Sequence, residues 1–231
     1  MNGLLANNRP AGMGWTSATP VEPTAGQWRS VPSVNPQQYL SPPPPANDSA
    51  ETQAELALLR SMTHNLTAAD LARFRRWTSE STLLTNWNAI AEQMCRTYGL
   101  SAPAGARVMA LLADAVNTTL IACWRNKYLY LRPRPTMLDP NVVAVIPGPD
   151  HPSYPAGHPA VAGAASRILG QFFPREAAMF RANALDVSLF RLQAGAHFPS
   201  DVRAGLALGE RIADEILRAE AQSGAPMQYG V

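Results

Sequence analysis

Apolar residues recur at steps of three and four along most of the chain beyond residue 47, a spacing that places them on one face of an α-helix. Between residues 83 and 94 the apolar positions are Leu83, Leu84, Trp87, Ile90, Ala91 and Met94. No stretch of convincing strand length alternates apolar and polar residues. The pattern therefore predicts an all-α fold, in which the helices form one bundle.

Residues with capping propensity mark where several of these helices begin. Thr67 and Asp70 have the spacing of a capping box. Ser101 and Pro103 suit the N-cap and an early position of a long helix that continues to about residue 131. This helix is apolar on nearly every side, so we expect it at the centre of the bundle. Further helices are predicted over residues 158–173, 175–194 and from 199 onward.

Two proline-rich segments interrupt the helical pattern. Residues 1–47 contain nine of the 21 prolines and cannot form a core of their own. Their apolar residues are typical of an arm packed on the body: Trp15, Trp28, Val31, Val34, Tyr39 and Leu40. The expected division is an arm over 1–47, a helical domain over 48–222 and a C-terminal tail over 223–231. The second segment, residues 132–157, contains seven prolines, and long ordered loops inside compact domains are usually functional.

Composition limits the classes of partner. Hydrophobic residues make up 46% of the chain, charged residues 16%, and the net charge is +2. With no block of Lys and Arg, this balance argues against a nucleic-acid partner. No uninterrupted apolar run reaches the ~18 residues of a membrane span, so none is expected. An apolar arm is compatible with a second subunit, which leaves a homo-oligomer open.

The N-terminal sequence MNGLLANNRPAGMGW lacks the basic and apolar regions of a signal peptide. The expected location is cytoplasmic if Met1 is the native start, and periplasmic or secreted if an export signal has been removed. Cys95 and Cys123 lack the spacing of a metal or redox motif. Free thiols in helices are the preferred interpretation, with a bridge between two helices as the alternative.

Polar chemistry is concentrated in three clusters. In KYLYLRPRP, Lys127 lies at the end of the long helix, followed by Arg132 and Arg134; a cation there also offsets the helix dipole. In HPSYPAGHPA, His158 stands where a proline-rich loop becomes a helix, beside free backbone N–H groups. A capped helix start with a solvent-facing histidine would have the same pattern.

The third cluster is FRLQAGAHFPSD, in which Arg191 precedes His197 by six residues and Asp201 follows it by four. Gly195 and Pro199 interrupt the helix, so His197 is expected on a turn and Asp201 in the first turn of the next helix. The carboxylate can then accept a hydrogen bond from one ring nitrogen and leave the other as a nucleophile or ligand. Taken alone, Asp201 could equally serve the helix dipole.

Together the clusters supply guanidinium and ammonium groups, two imidazoles and one carboxylate. Arginine forks bind pairs of oxygens and lysine adds a point charge, so the set suits a tetrahedral oxyanion. It does not suit a divalent cation, because only one acidic residue belongs to it.

The sequence resembles the superfamily of type 2 phosphatidic acid phosphatases, bacterial class A acid phosphatases and vanadium-dependent haloperoxidases. That family's signature is K-x6-R-P, then P-S-G-H, then S-R-x5-H-x3-D. The three blocks match here, in order and with correct internal spacing, at Lys127, Arg134, Pro135, Pro155, Gly157, His158, Arg191, His197 and Asp201. The match covers roughly residues 100–220 and implies a helical bundle of the acid phosphatase and vanadium haloperoxidase type. The arm and the WNAIAEQ segment are most similar to the soluble, haloperoxidase-related bacterial branch.

For a phosphatase, the resemblance implies transfer through a phosphohistidine without a cofactor. His197, oriented by Asp201, is the expected nucleophile, and His158 is the acid that protonates the leaving alcohol and then the base that activates water. The expected phosphate-binding residues are Lys127, Arg134, Ala156, Gly157 and Arg191. The expected partner is a small-molecule phosphomonoester.

For a haloperoxidase, the resemblance implies vanadate as the cofactor in the same pocket. His197 would then be the vanadium ligand, and His158 would assist the proton transfers of peroxide before halide is oxidised. A small bundle suffices for a phosphatase, whereas the context PSYPAGH is closer to the haloperoxidase branch. Phosphomonoester hydrolysis is the preferred expectation and the haloperoxidase is the alternative.

Two positions depart from the family signature. Ala156 stands where the family has a serine whose hydroxyl bonds the oxyanion, and Phe190 replaces the serine before Arg191. Loss of one hydrogen bond to a charged group costs roughly 1.5–3 kcal/mol, or about one to two orders of magnitude in anion affinity. A second alternative is therefore a homologue whose catalysis is altered or lost because of Ala156.

Overall fold

The computed structural model describes residues 13–30, 34–78, 80–146 and 148–230. The helices are α1 Ala50–His64, α2 Ala68–Trp77, α3 Glu80–Thr97, α4 Ala102–Tyr130, α5 Pro135–Leu138, α6 Gly157–Phe172, α7 Ala177–Gln193 and α8 Pro199–Glu220. Short 3-10 turns precede α1 and α7 and follow α8. These residues contain no strand, which confirms the all-α prediction.

The helix boundaries follow local capping chemistry. The Thr67 hydroxyl accepts from the backbone N–H of Asp70, and the Asp70 carboxylate accepts from that of Thr67, so the predicted capping box is present. Ser101 is the N-cap of α4, as expected, but its side chain makes no capping hydrogen bond with the described residues. No disulfide joins Cys95 and Cys123, and Cys123 is fully buried.

Helix α6 lies inside the bundle and packs against α4, α7 and α8. Its contact with α8 is a backbone contact that depends on glycine. A Cβ at Gly205 would lie 2.3 Å from the carbonyl oxygen of Ala156, and one at Gly209 would lie 2.0 Å from that of Ala160. Only glycine fits at these separations, and the close approach brings the first turns of α6 and α8 together.

Helix α4 is long and apolar enough, by length and composition alone, to cross a membrane. The candidate segment is Ala102–Leu138, and 56% of its most apolar window is buried inside the fold. The sequence predicted no membrane span because no uninterrupted apolar run was long enough. A mean hydropathy over a window of residues, in contrast, tolerates polar residues among the apolar ones. The core helix of a globular protein passes the same test, and α4 occupies that position.

The N-terminal arm lies against α4. Trp15 and Tyr39 are buried, and the backbone N–H of Trp15 donates to the carbonyl of Leu131 at 2.9 Å. Asn126 of α4 fixes the second half of the arm, because its side chain donates to the Tyr39 carbonyl at 2.9 Å and accepts from the N–H of Ser41 at 2.8 Å.

The remaining apolar residues of the arm are not all buried. Trp28 is 50% exposed and Leu40 is 37% exposed, while Val34 is half-buried. Val31 lies outside the described residues. Trp28 is exposed because it lies at the mouth of the cavity described next.

Candidate active site

A cavity of about 310 Å³ opens between the arm, α3, α4 and the second and third clusters. Its polar end is lined by His151, Gly157, His158, Arg191 and His197. These residues come from the proline-rich loop, the first turn of α6, the last turn of α7 and the turn before α8. The fold thus brings residues of the second and third clusters, which are about forty residues apart in sequence, to the same cavity.

His197 and Asp201 form a fully buried pair. His197 lies on the turn between α7 and α8, and Asp201 lies in the first turn of α8. Oδ2 of Asp201 is 3.3 Å from Nδ1 of His197 and also accepts from the backbone N–H of Phe198 at 3.0 Å. The carboxylate therefore caps the first turn of α8 and also faces the imidazole. Both roles that the sequence offered for Asp201, at the helix terminus and toward His197, describe its position.

The other contacts of Asp201 come from outside the signature. The Arg132 guanidinium donates to Oδ1 of Asp201 at 2.7 Å, and the Ser153 hydroxyl donates to Oδ2 at 2.5 Å. Arg132 also contacts Glu55 of α1, with 3.4 Å between nitrogen and oxygen. Glu55 in turn accepts from the N–H of Ser200 at 2.6 Å. The carboxylate that faces His197 is thus held by a buried network that reaches α1.

Arg134 contacts two of the three buried histidines of the polar end, His197 and His151. Its NH1 group is 3.0 Å from Nε2 of His197 and 2.8 Å from the Ala196 carbonyl, and its NH2 group is 3.1 Å from Nδ1 of His151. A guanidinium has no acceptor, so Nε2 of His197 presents its lone pair. NH1 is also 3.4 Å from Nδ1 of His197. The shorter contact with Nε2 and the Asp201 carboxylate beside Nδ1 together favour the tautomer with its proton on Nδ1, which a nucleophilic Nε2 needs.

Lys127 is fully buried beside the cavity and does not line it. Its ammonium donates to the carbonyl oxygens of Pro152, Ser153 and Pro155 at 2.8, 3.0 and 2.6 Å. Burial lowers the pKa of Lys127 to about 7, and the nearby Arg134 acts in the same direction. In this structure Lys127 holds the proline-rich loop, so contact with an anion requires it to exchange a carbonyl bond.

His158 is the second residue of α6 and is buried at the cavity wall. It does not face solvent, which was the alternative interpretation of the sequence. Its Nε2 has no hydrogen-bond partner among the residues that the structure describes. Burial lowers the pKa of His158 well below its usual value, and the positive charge of Arg191 lowers it further. Burial also lowers the pKa of His197, with Arg134 as the next contribution. Both imidazoles are therefore neutral at pH 7 without an anion.

The start of α6 supplies backbone donors. Gly157 and His158 are its first two residues, and N–H groups at these positions have no partner within a helix. Pro159 has no N–H, so the donors of this turn are these two. Ala156, the N-cap, is fully buried and makes no capping bond with its side chain. Its own N–H donates to the Asp201 carbonyl at 3.0 Å.

Phe190 has an apolar role in place of the signature serine. Its ring packs edge-on against His158 at 6.3 Å, and the Arg191 guanidinium lies 5.1 Å from the same ring. The aromatic side chain thus contributes to burying both residues.

Sequence reasoning identified the residues of the polar end except His151, but it gave no role to Arg132 and missed Glu55, Ser153 and Ser200. Arg132 was visible only as one cation of a basic cluster. Glu55 lies on α1, far from the signature, so no spacing pointed to it. The pairing of Asp201 and Glu55 with the buried Arg132 is visible only in the folded structure.

The sequence profile of the PAP2 superfamily matches residues 104–222 of the 231, which is more than half of the chain and includes all three clusters. The chain belongs to the PAP2 superfamily. Members of this superfamily are phosphatases or haloperoxidases, which supports an enzymatic function for this PAP2 protein.

Two curated relatives share a short region with this PAP2 protein. The lipid A 1-phosphatases of Rhizobium etli and Rhizobium johnstonii are each 44% identical to it over 57 residues, or 25% of this chain. That region is 25% of the first relative and 23% of the second. The chain thus matches about a quarter of the length of these relatives.

Solved structures share the fold at low identity. A bacterial vanadium-dependent iodoperoxidase has a TM-score of 0.79 at 21% identity, covering 94% of this chain and 63% of that chain. A holo-type bacterial vanadium-dependent chloroperoxidase has a TM-score of 0.74 at 16% identity, covering 94% of this chain and 59% of that chain. These likenesses confirm the predicted bundle type.

Proposed function

We propose that this PAP2 protein hydrolyses phosphomonoesters through a phosphohistidine intermediate. The observation that carries the proposal is the His197–Asp201 pair, whose tautomer leaves Nε2 of His197 with its lone pair beside a cavity that His158 and Arg191 also line. The partial match to two lipid A 1-phosphatases supports phosphoester chemistry.

In the first step, Nε2 of His197 attacks phosphorus as the bond from phosphorus to the ester oxygen breaks. Protonated His158 gives its proton to the departing oxygen, which leaves as an alcohol. Asp201 accepts from Nδ1–H and stabilises the positive charge that the ring acquires. Cations and the N–H groups at the start of α6 stabilise the equatorial oxygens.

In the second step, neutral His158 takes a proton from water, and the resulting hydroxide attacks phosphorus. The bond between phosphorus and Nε2 breaks, and the electron pair returns to His197. Both histidines regain the states that they had in the substrate complex, with His158 protonated. When inorganic phosphate leaves, His158 returns its proton to solvent.

Binding of the anion prepares His158 for its role. In the free site His158 is neutral, because burial and neighbouring cations lower its pKa. A phosphate dianion offsets those positive charges and raises that pKa, so His158 gains its proton together with the substrate. The acid is therefore charged only when a phosphoryl group is present.

Arg134 must also change partners. Its NH1 group contacts Nε2 of His197, the nitrogen that attacks phosphorus. A bound phosphoryl group supplies better acceptors than a neutral imidazole, so the guanidinium shifts to the oxygens and exposes the nucleophile.

The alternative activity is a vanadate-dependent haloperoxidase, favoured by the fold likeness over 94% of the chain. The residues fit vanadate as they fit phosphate: Nε2 of His197 would be the ligand, and Lys127, Arg134 and Arg191 would neutralise the oxyanion. Bound vanadate would supply the activation of peroxide for halide oxidation, with His158 moving protons nearby.

The test compares the two activities in one preparation. Hydrolysis of p-nitrophenyl phosphate, and trapping of an acid-labile phosphoryl group that is lost in His197→Ala, are the expected results. Retention of phosphatase activity in His197→Ala would refute the phosphohistidine.

Vanadate, peroxide and bromide with a dye acceptor form the second assay. Bromination without phosphatase activity would favour the alternative. Phosphate binding without turnover in either assay would indicate that Ala156 accompanies altered or lost catalysis.

A further inference from the structure

The cavity has a second, apolar end that the proposed chemistry does not use. Between the polar end and solvent it is walled by Val21 and Trp28 of the arm, Leu84 of α3, and Leu120, Ile121 and Trp124 of α4. The arm and α3 lie outside residues 104–222, the part that matches the PAP2 profile. The parts of the wall that the arm and α3 supply therefore lie beyond the matched region, whereas the part that α4 supplies lies within it.

Three of the apolar side chains at the mouth are exposed. Trp28 is 50%, Leu84 is 38% and Val21 is 37% exposed, and all three line the same cavity. Single exposed apolar residues are ordinary, but a group that rims a concave site adjoining polar groups is typical of ligand binding. An apolar group beside the bound oxyanion would cover them.

The arm wall is fixed in place. The N–H of Val21 donates to the Asp150 carbonyl at 2.8 Å, and the Val21 carbonyl accepts from the Tyr128 hydroxyl at 2.6 Å. The Asp150 carboxylate accepts from the hydroxyls of Ser17 at 2.5 Å and Thr19 at 2.8 Å. Asp150 directly precedes His151, so the apolar wall is tied to the loop that forms the polar end.

The volume of the cavity and the charge of its lining limit which substrates it can bind. At about 310 Å³, the cavity lies near the small end of the roughly 300–1,000 Å³ found for ligand sites. It has room for a phosphoryl group and one compact apolar group, and not for several acyl chains. Among the described residues that line it, Glu22 is the only carboxylate, and its charge disfavours a second anionic group on the substrate.

We propose that the arm, α3 and α4 form a leaving-group subsite that selects phosphomonoesters of a compact apolar alcohol, such as a benzyl or branched-alkyl alcohol. The geometry behind it is a preformed apolar wall continuous with the groups that hold the oxyanion. As a statement about turnover, the proposal rests on the proposed function. As a statement about binding, it stands on the cavity alone.

The turnover experiment compares benzyl phosphate with glycerol 1-phosphate, since both release alkoxides of similar basicity. We expect kcat/KM to be higher for benzyl phosphate by about tenfold or more, mainly through a lower KM. The reason is that binding removes one aromatic ring from water. Trp28→Ser and Leu84→Ser should lower kcat/KM for benzyl phosphate more than for glycerol 1-phosphate, and so reduce that preference. Leu40→Ser is the matched control for Leu84→Ser, because Leu40 is a leucine of similar exposure that does not line the cavity. It should keep the preference.

A calorimetric comparison of benzylphosphonate with methylphosphonate separates the two proposals, because neither ligand is hydrolysed. Tighter binding of benzylphosphonate, lost in Trp28→Ser, supports the subsite even if no ester is turned over. Hydrolysis without preference, together with equal phosphonate affinities, would overturn the subsite and leave the proposed function standing. Equal preference in Trp28→Ser, Leu84→Ser and the unaltered protein would also overturn it.

Discussion

The guanidinium of Arg132 donates to one oxygen of Asp201 at 2.7 Å, while the other oxygen of that carboxylate faces His197 at 3.3 Å. Arg132 and Asp201 are both fully buried. Arg132 is thus a positioning residue, one step removed from the imidazole that is proposed to attack phosphorus. Truncation of one partner of a buried ion pair leaves the other charge uncompensated, at a cost of about 3–5 kcal/mol.

We therefore expect Arg132→Met to lower the free energy of unfolding by about that amount, and to lower kcat more than it raises KM. The reason for the second effect is that Asp201 loses the contact that fixes its orientation toward His197. Arg132→Lys keeps the charge and should restore part of kcat. Urea unfolding and steady-state kinetics check the two effects separately. If folded Arg132→Met has unaltered kcat, the side chain is structural only.

Ala156 offers a gain-of-affinity test. Ala156→Ser returns a hydroxyl to the N-cap of α6, next to the N–H groups of Gly157 and His158. We expect the inhibition constant of inorganic phosphate to fall by about one to two orders of magnitude, the value of one hydrogen bond to a charged group. An unchanged constant would mean that the hydroxyl does not reach the anion. Ala160→Ser, within α6, is the control that adds a hydroxyl elsewhere on the same helix.

Lys127 should make stability depend on pH. Burial lowers its pKa from 10.5 to about 7 in the folded protein, so between these values the unfolded chain binds more protons. The free energy of unfolding therefore rises with pH across this window, by at most about 1.4 kcal/mol per pH unit from this residue. Urea unfolding from pH 7 to 10 should show a steeper rise for the unaltered protein than for Lys127→Met. Parallel curves would show that burial does not depress this pKa.

His158 should matter most for poor leaving groups. An alkoxide needs a proton as it departs, whereas p-nitrophenolate leaves readily without one. We expect His158→Ala to reduce kcat for benzyl phosphate by about 10²–10⁴-fold, and for p-nitrophenyl phosphate by much less. Similar losses for both esters would assign His158 a role in binding instead of proton transfer.

The pH dependence of the unaltered enzyme tests the coupling between anion and acid. Because burial and nearby cations lower the pKa of His158 in the free site, kcat/KM should lose its His158-dependent part at lower pH than kcat. In the complex, the phosphoryl charge raises that pKa and extends activity to higher pH. Dividing the kcat and kcat/KM profiles by those of His158→Ala isolates this part. If both ratios fall over the same pH range on the basic side, the coupling is contradicted.

The sequence was informative where chemistry depends on local spacing. The order of the helices follows from periodicity, and the four-residue step from His197 to Asp201 across a proline-started helix leads directly to their contact. The capping box of Thr67 and Asp70 is equally local. Each of these relations is complete within a few residues of chain.

Relations that depend on the approach of distant elements could not be predicted. The pairing of Arg132 with Glu55 requires α1 to cover the end of α4, which no pattern encodes. The three carbonyls of the proline-rich loop that surround the ammonium of Lys127 had no signal in the sequence, and the expected contact of Lys127 with an anion stays a prediction. The arm was expected to pack through Trp28, whose side chain instead lines the cavity mouth.

The glycine contact between α6 and α8 has a consequence for how this chain could diversify. Where the backbone at Gly205 rests on the carbonyl of Ala156, the spacing between the turn carrying His158 and the turn carrying His197 is set by main-chain atoms. Mutations on the arm or α3 can therefore reshape the entrance without shifting the two imidazoles. Under the two proposals, the residues that would select the substrate and those that would react with it can therefore vary independently.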